Sequence, residues 1–238
     1  MLIESIEADL FGTNCFVVAP GPGERCVVID PGMGVAKHLD AVLAEHRLHP
    51  AAVLLTHGHL DHTFSVLPVC QARDVPAYIH SADRGALADP WPLLGMPPGT
   101  PLPGIDSLTI GEPDDVRELA DGSRLELAGL QLTVRHTPGH TRGSILFLTD
   151  ADLFLTDADQ GPDRTGAGGA PVAFTGDLLF AGSIGRTDMP GGSMAQLRQS
   201  LVEVVLPLPD EVMVCPGHGP GTTIGRERAT NPYLRELT

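Results

Sequence analysis

The pattern of apolar and polar residues divides the chain into short strands and a few amphipathic helices. Short β-prone runs bounded by Gly, Pro or Asp are typical of strands. Such runs lie at residues 2–9, 15–19, 26–30, 51–56, 76–80, 125–134, 144–148, 172–176 and 211–215. Helical spacing of apolar residues predicts helices at 35–47, from about 62 to 73, and at 193–205. Strands followed by helices occur twice, which indicates an α/β fold of two β–α halves whose sheets stack with the helices outside.

Two segments break this pattern. Residues 90–104 are rich in Pro, and because Pro removes a backbone N–H and fixes φ, we expect a surface loop without regular structure. We expect local packing for Trp91 and Met96 in this loop, with covering of a substrate pocket as the alternative. Residues 157–171 are rich in Gly and Asp without periodicity, which predicts a flexible insertion.

The composition predicts one domain over residues 1–238. A chain of 238 residues, 42% of them hydrophobic, is long enough for one sizeable core. No apolar run approaches the ~20 residues of a membrane span, and the acidic N-terminus is unlike a signal peptide. We therefore expect a cytoplasmic protein without a membrane partner. The four cysteines form no C-x-x-C pair, which favours reduced, buried thiols, although Cys215 is a weak candidate ligand beside His218.

The net charge restricts the choice of partners. The chain carries 15 basic and 30 acidic residues, a formal net charge of −15, and no basic run. Such a chain repels phosphate backbones, so nucleic acid is not an expected substrate. An anionic substrate would need a local positive site, which bound metal ions could supply. The oligomeric state is left open by the sequence.

The sequence THGHLDH follows the apolar run AAVLLT directly. On an extended segment residues two apart point the same way, so His57 and His59 can share one ion. Asp61 and His62 then project from the first turn of a helix. Imidazole and carboxylate suit Zn²⁺ and neighbouring metals. An exposed polar loop is the alternative, but polar groups left unpaired beside an apolar strand cost roughly 1–3 kcal/mol each.

Three further ligand-type residues also end apolar strands just before a Gly or Pro turn. His140 closes HTPGH, Asp177 follows VAFTG, and His218 lies in CPGHG after EVMV. Together the candidates are five histidines and two aspartates, which is too many for one tetrahedral ion with an open position. The set fits two ions that share a bridging carboxylate. The other histidines lack this context, and we expect solvated or packing roles for them: His38, His46, His49, His80 and His136.

These motifs resemble the metallo-β-lactamase fold superfamily. HGHLDH, the His of TPGH, the Asp of TGD and the His of PGHG match its ligand set in order and spacing over essentially the whole chain. The segments TPGHTRGS and GDLLFAGSIGRTDMPGG are similar to type II glyoxalases, the hydroxyacylglutathione hydrolase-like group. The resemblance implies an αββα sandwich of two stacked mixed β-sheets flanked by helices, with two metal ions in the groove at the sheet edges.

The resemblance also implies a role for each candidate. One ion would take His57, His59 and His140. The other ion would take Asp61, His62 and His218. Asp177 would bridge the two ions. Zn²⁺ is the expected metal, with Fe or Mn as alternatives. Asp61 and Asp177 would also orient the attacking hydroxide. Asp30, in the turn IDPG, resembles a carboxylate that orients the ligand loop, with turn capping as the alternative.

The implied activity is hydrolysis of a thioester such as S-lactoylglutathione or a related acyl-thiol. Hydroxide generated by the metal pair would attack the carbonyl and expel a thiolate. The C-terminal helical domain with which full-length type II glyoxalases bind glutathione is not expected here, nor are their aromatic glutathione contacts. The identity of the thiol is therefore open. Arg186 is a candidate for binding a substrate carboxylate, with a surface salt bridge as the alternative.

Two other functions fit the same residues. A persulfide dioxygenase of this fold would hold one Fe²⁺ with His57, His140 and Asp177, a two-His-one-carboxylate set. A non-catalytic metal-bound module would need no open coordination position. The segment GSIGR at residues 182–186 is more glyoxalase-like, and it favours the hydrolase.

Overall fold

The computed structural model describes residues 1–101, 110–149 and 170–237. The first of its two six-stranded sheets follows the chain in order, with two antiparallel pairings and then three parallel ones. Its strands are β1 (Leu2–Glu7), β2 (Asn14–Ala19), β3 (Arg25–Ile29), β4 (His49–Leu54), β5 (Ala77–His80) and β6 (Val116–Leu119).

The second sheet is antiparallel except for one central pair. Its strands are β7 (Arg124–Leu127), β8 (Leu130–His136), β9 (Ile145–Thr149), β10 (Val172–Gly176), β13 (Met213–Pro216) and β14 (Thr222–Thr223). β9 lies between β8 and β10, and β10 pairs in parallel with β13. A separate two-stranded hairpin, β11 (Leu179–Phe180) and β12 (Ser183–Ile184), follows β10.

Helices lie on the outer faces of both sheets and at one edge of the sandwich. They are α1 (Val35–His46), α2 (Leu60–Thr63), α3 (Val66–Arg73), α4 (Gly85–Ala88), α5 (Trp91–Leu94), α6 (Met194–Ser200), α7 (Ile224–Thr230) and α8 (Pro232–Arg235). A π-helical turn, Leu201–Val205, continues α6. No helix in the described parts of the chain is long and apolar enough to cross a membrane.

Strand alternation explains why the sheets stack. Val53 and Leu55 pack with α1 and α3 on one face of the first sheet, while Ala52 and Leu54 face the second sheet. Because both faces of β4 are buried at residues 51–54, the sequence there is continuously apolar. A third apolar cluster joins the outer face of the second sheet to α6 and its π-helical turn. The αββα sandwich of two mixed sheets expected from the sequence is confirmed.

Several local predictions are wrong. The Pro-rich segment contains α5, because Pro90 and Pro92 lie at the start of the helix, where backbone N–H groups have no intrahelical partner. The strand expected at 125–134 is the hairpin β7–β8, which turns at Ala128 and Gly129, both with positive φ. The helix expected from 62 to 73 is divided into α2 and α3. Residues 102–104 and 157–169 of the two expected insertions lie outside the described residues.

The strand ends place the candidate residues. Asp30 follows β3 and the HGHLDH loop follows β4, so both leave the first sheet at the carboxyl ends of parallel strands. In the second sheet His140 lies between β8 and β9, while Asp177 and His218 follow the parallel strands β10 and β13. The ligand-type side chains of both sheets therefore meet at one edge of the sandwich.

Candidate metal centre

Three buried histidines form the first group of ligand-type side chains. Nδ1 of His59 lies 3.1 Å from Nε2 of His57 and 2.8 Å from Nε2 of His140. Ligands of a tetrahedral Zn²⁺, each about 2.1 Å from the ion, lie about 3.4 Å apart. Since the three nitrogens surround one point at nearly that spacing, they could hold one ion.

The second group is more exposed and contains one carboxylate. Nε2 of His62 lies 3.3 Å from Nε2 of His218, and Oδ2 of Asp61 lies 3.5 and 3.2 Å from these two nitrogens. Asp61 and His62 leave the first turn of α2, as the sequence predicts. This group also has the spacing of a metal site.

Asp177 lies between the two groups. Its Oδ1 is 3.3 Å from Nε2 of His62, and its Oδ2 is 3.5 Å from Nε2 of His140 and 3.6 Å from Nε2 of His218. Among the described residues, Oδ1 has no partner in hydrogen-bonding geometry although it is buried. A buried carboxylate oxygen without a partner is costly unless a cation compensates it. The seven side chains therefore fit a pair of divalent ions.

Hydrogen bonds to Nδ1 orient four of the five imidazoles. Nδ1 of His62 faces Oδ2 of Asp30 at 2.9 Å, Nδ1 of His140 faces the Arg186 carbonyl at 2.8 Å, and Nδ1 of His218 faces the Phe11 carbonyl at 3.1 Å. These oxygens only accept, so Nδ1 carries the proton and the Nε2 lone pair points into the cluster.

Asp30 is a buried carboxylate that orients the HGHLDH loop through three hydrogen bonds. It accepts hydrogen bonds from the backbone N–H of Thr56 at 2.8 Å and from its hydroxyl at 2.6 Å, besides the one from His62. Because the Thr56 hydroxyl donates to Asp30, it accepts from Nδ1 of His57, which lies 3.1 Å away. These bonds bind two ligand-type histidines to β3, rather than capping the IDPG turn.

Asp83 was missed by the sequence analysis. It is 2% exposed and accepts from the backbone N–H of Gly58 at 2.9 Å, the Thr141 hydroxyl at 2.6 Å and the backbone N–H of Gly143 at 2.9 Å. It thereby joins the loop after β4 to the loop that carries His140. The available signal was its place just after β5, at the same sheet edge as the other candidates.

Glycine lets the chain pass close to the cluster. A Cβ on Gly217 would lie 2.3 Å from Oδ1 of Asp177 and 2.6 Å from Cε1 of His62. A Cβ on Gly58 would lie 2.9 Å from Cβ of Ala86. Any larger residue at these positions would displace a ligand-type side chain or its loop.

The pKa values divide the histidines into two kinds. Burial, reinforced by neighbouring imidazoles, lowers the pKa of His57 well below its usual range and that of His59 to about 4. Burial also disfavours charge on His62 and His218, but the carboxylates of Asp61 and Asp177 outweigh it and raise both pKa values. In the metal-free protein, protons on these two histidines compensate the carboxylates, and bound cations would replace them.

The remaining candidates lie at the rim or outside the cluster. The exposed guanidinium of Arg186 forms two 2.7 Å bonds with Asp188, so the surface salt bridge considered from the sequence is present. Cys215 is half-buried and packs against the core between the sheets. His80 and His136 stack on each other with ring centroids 4.2 Å apart, away from the ligand groups.

A cavity of about 340 Å³ opens beside both groups. Its described lining consists of five ligand-type residues, four apolar residues and one arginine: His59, Asp61, His140, Asp177 and His218; Phe11, Leu60, Leu94 and Met189; and Arg186. Leu94 thus lines the cavity, whereas Trp91 is buried and Met96 is exposed outside it. Neither Trp91 nor Met96 covers this pocket.

Comparison with known proteins identifies the family. Residues 8–166 and 159–218 match the family model of the Metallo-beta-lactamase superfamily. The chain therefore belongs to the metallo-beta-lactamase superfamily, as its ligand motifs predict. Its sandwich of two sheets and its cluster of metal-binding residue types agree with this membership.

Two relatives show how the chain is related within the family. It is 44% identical over 243 residues to an uncharacterised protein of Mycobacterium tuberculosis, with 100% of both chains covered. It is 35% identical over 234 residues to the hydroxyacylglutathione hydrolase GloC of Haemophilus influenzae, with 98% of both covered.

Three solved structures share the fold. The BLEG-1 B3 metallo-beta-lactamase has a TM-score of 0.80 at 34% identity, covering 98% of this chain and 99% of that one. TTHA1623 in a di-iron-bound form has a TM-score of 0.70 at 37% identity, covering 97% and 100%. ETHE1 from Myxococcus xanthus, at 23% identity, has a TM-score of 0.71, covering 100% and 88%, and shows likeness of fold alone.

Proposed function

We propose that the protein is a dinuclear metal-dependent hydrolase of thioesters, acting on S-lactoylglutathione or a related acyl-thiol. The observation that carries the proposal is the position of Asp177, whose buried carboxylate reaches both ligand groups and has one oxygen without a hydrogen-bond partner among the described residues. The likeness to GloC supports thioester hydrolysis, and the likeness to a protein in a di-iron-bound form supports a centre with two metal ions.

In this proposal one group would hold each ion, and Asp177 would serve both. The ligand atoms would be His57 Nε2, His59 Nδ1 and His140 Nε2 for one ion, and Asp61 Oδ2, His62 Nε2 and His218 Nε2 for the other. Zn²⁺ is the expected ion and Fe or Mn the alternatives, because imidazole and carboxylate ligands suit all three.

When bound, the ions supply the charge that lowers the pKa of a shared water and polarises a substrate carbonyl. The residues of this chain set the geometry in which that occurs. Asp30 and the carbonyls of Arg186 and Phe11 hold the imidazoles in one tautomer. The carboxylates of Asp61 and Asp177 accept hydrogen bonds from the attacking water and orient it.

The lining of the cavity supports a thioester in particular. Besides the ligand-type residues, the described lining contains apolar side chains and Arg186, none of which can donate a proton to a leaving group near neutral pH. An amine or alkoxide must be protonated as it leaves, whereas a thiolate can leave without a proton because the pKa of its conjugate thiol is low. A thiol ester therefore suits this site better than an amide.

The charge of the chain supports a further part of the proposal. A net charge of −15 disfavours approach of a nucleic acid backbone, so we propose a small-molecule acyl-thiol as the partner.

The test combines metal analysis with a thioester hydrolysis assay on the purified protein. We expect close to two metal equivalents per chain and metal-dependent hydrolysis. Asp177→Asn should lower metal content and reduce kcat/KM at least roughly 100-fold. Asp115→Asn, at an exposed salt bridge, is the matched control and should behave as wild type. Two metal equivalents without hydrolysis would favour the non-catalytic module.

Persulfide oxidation is the alternative outcome of the same experiment. His57, His140 and Asp177 could hold one Fe²⁺, and the fold of ETHE1 is similar. That activity leaves the second group, Asp61, His62 and His218, without a role, which is why we prefer the hydrolase. One stable iron per chain together with oxygen consumption on a persulfide would overturn our proposal.

A further inference from the structure

The cavity beside the candidate metal centre has an apolar side. Phe11, Leu60, Leu94 and Met189 line it together with the ligand-type residues, and we call these four the apolar wall. They come from distant parts of the chain: the β1–β2 turn, the start of α2, the end of α5 and the loop before α6. When an apolar ligand covers an apolar surface at a reaction site, water is released and binding is favoured.

Packing between two loops builds one part of the apolar wall. α5 ends at Gly95 (φ 66°), and a Cβ on Gly95 would lie only 3.2 Å from Cγ of Pro190. Leu93 likewise approaches the loop at Gly191, where a Cβ would lie 3.8 Å from its Cδ2. Leu94 and Met189 are therefore carried by segments that support each other.

Phe11 forms another part of the apolar wall, and its backbone is hydrogen-bonded to a candidate ligand. Its side chain is 64% exposed although it is large and apolar, and its φ of 69° is in the left-handed region. Its carbonyl accepts the hydrogen bond from Nδ1 of His218 at 3.1 Å. This bond holds the backbone of Phe11 beside the candidate metal centre, and its exposed ring lines the cavity, where a bound apolar group would cover it.

The described lining offers little to a charged substrate group. Arg186 is its one basic side chain outside the ligand set, and both of its bonds to Asp188 are 2.7 Å long. A substrate carboxylate would have to displace Asp188, in a protein whose net charge is already −15. The lining of the cavity outside the ligand set therefore disfavours anionic substrate groups.

We propose that the apolar wall binds the acyl part of the substrate, and that this acyl group is short, uncharged and mainly apolar. The inference rests on the proposed thioester hydrolysis. The cavity volume of about 340 Å³ is near the lower limit for small-molecule sites, which suits a short acyl chain. A peptide-like thiol with several charges finds no matching partners along the wall and stays in solvent at the mouth.

The test is a series of acyl thioesters of one small neutral thiol, N-acetylcysteamine. Acetyl, propionyl, butyryl and succinyl esters are compared by kcat/KM with metal-replete protein. Each CH2 that reaches the wall should raise kcat/KM by roughly fourfold, and succinyl should be a poorer substrate than butyryl. A flat series, or a preference for succinyl, would overturn the inference.

Two variants locate the effect on the wall. Leu94→Ser should raise KM for the butyryl ester, leave kcat nearly unchanged, and flatten the chain-length series. Met96→Ser, in the same segment but outside the cavity, is the matched control and should retain the wild-type series. If the Leu94 variant does not fold, the wild-type series still decides the inference.

Binding of non-hydrolysable thioether analogues, measured by calorimetry, separates this inference from the proposed function. If affinity rises with alkyl length but no thioester is cleaved, the site binds apolar groups and the proposed hydrolase activity is wrong. If thioesters are cleaved at rates independent of the acyl chain, the hydrolase stands and the acyl site is wrong.

Discussion

The carboxylate of Asp83 accepts a hydrogen bond from the backbone N–H of Gly58 at 2.9 Å. Gly58 lies between two histidines of the candidate metal centre, and the same carboxylate also holds Thr141 and Gly143 in the loop of His140. One buried side chain, itself not a candidate ligand, therefore fixes the separation of two ligand-bearing loops from different sheets.

We expect Asp83→Asn to weaken both folding and metal binding. The three donors occupy both carboxylate oxygens, so an amide NH2 must face at least one N–H or O–H group. Losing that bond should lower the free energy of unfolding by about 1–3 kcal/mol and zinc affinity by about 10–100-fold. Urea denaturation and competition with a zinc-binding dye measure the two effects. The exposed Asp115→Asn is the control, and equal zinc affinity in both variants would contradict a positioning role for Asp83.

A methyl group at Gly217 should weaken metal binding and destabilise the fold. The added Cβ would lie 2.3 Å from Oδ1 of Asp177, so the carboxylate or its loop must move. Gly217→Ala should therefore reduce metal content by elemental analysis and destabilise the protein by about 1–3 kcal/mol. Gly21→Ala, where a Cβ meets nothing within 4 Å, is the matched control. Full metal content in Gly217→Ala would show that the ligands are not arranged as described.

The metal-free protein should be most stable near pH 6.5. His57 and His59 have lowered pKa values, about 4 for His59. Below pH 6.5 the unfolded chain therefore binds protons at these histidines that the folded chain does not bind. Stability therefore falls as the pH drops from 6.5 towards 4. His62 and His218 have raised pKa values, so their stabilising effect is complete below 6.5 and is lost as the pH rises through those values.

Thermal unfolding of chelator-treated protein between pH 4 and 9 measures this profile. Zinc-loaded protein is the control: its alkaline loss should be much smaller, because the ion replaces the protons on His62 and His218. A stability that rises or falls steadily across the whole range would contradict the assigned pKa directions.

S-lactoylglutathione should be hydrolysed with a high KM. The lactoyl group is small and uncharged, but the described cavity lining has no basic residue besides Arg186 to meet the carboxylates of glutathione. Missing contacts that act equally in ground and transition states raise KM and leave kcat nearly unchanged. Steady-state kinetics should give similar kcat/KM for lactoyl esters of glutathione and of N-acetylcysteamine. A low-micromolar KM for the glutathione ester alone would refute the prediction.

The sequence predicted the ligand-type residues because each one follows an apolar strand. Strand ends of stacked sheets meet at one edge, so HGHLDH, His140, Asp177 and His218 could be grouped without any knowledge of distances. Asp83 could not be found this way, since its partners lie 25 to 60 residues away in sequence and a single Asp after a strand is usually a turn residue.

The Pro-rich segment shows a different limit. Proline content indicated a loop but could not exclude a helix of four residues, because its prolines lie where a helix tolerates them. That single turn decides which side chain meets the cavity: it buries Trp91 and directs Leu94 to the wall. The local packing expected for Trp91 is found, whereas the side chain of this segment that lines the cavity, Leu94, was not foreseen.

Each candidate ligand group takes side chains from both sheets. His57 and His59 come from the first sheet and His140 from the second, just as Asp61 and His62 come from the first and His218 from the second. Bound ions would thus act as removable cross-links between the two halves of the chain. Chelation should then weaken the contact between the sheets without separating them, because the apolar cluster between them stays buried, and the stability of the protein would depend on the metal supply.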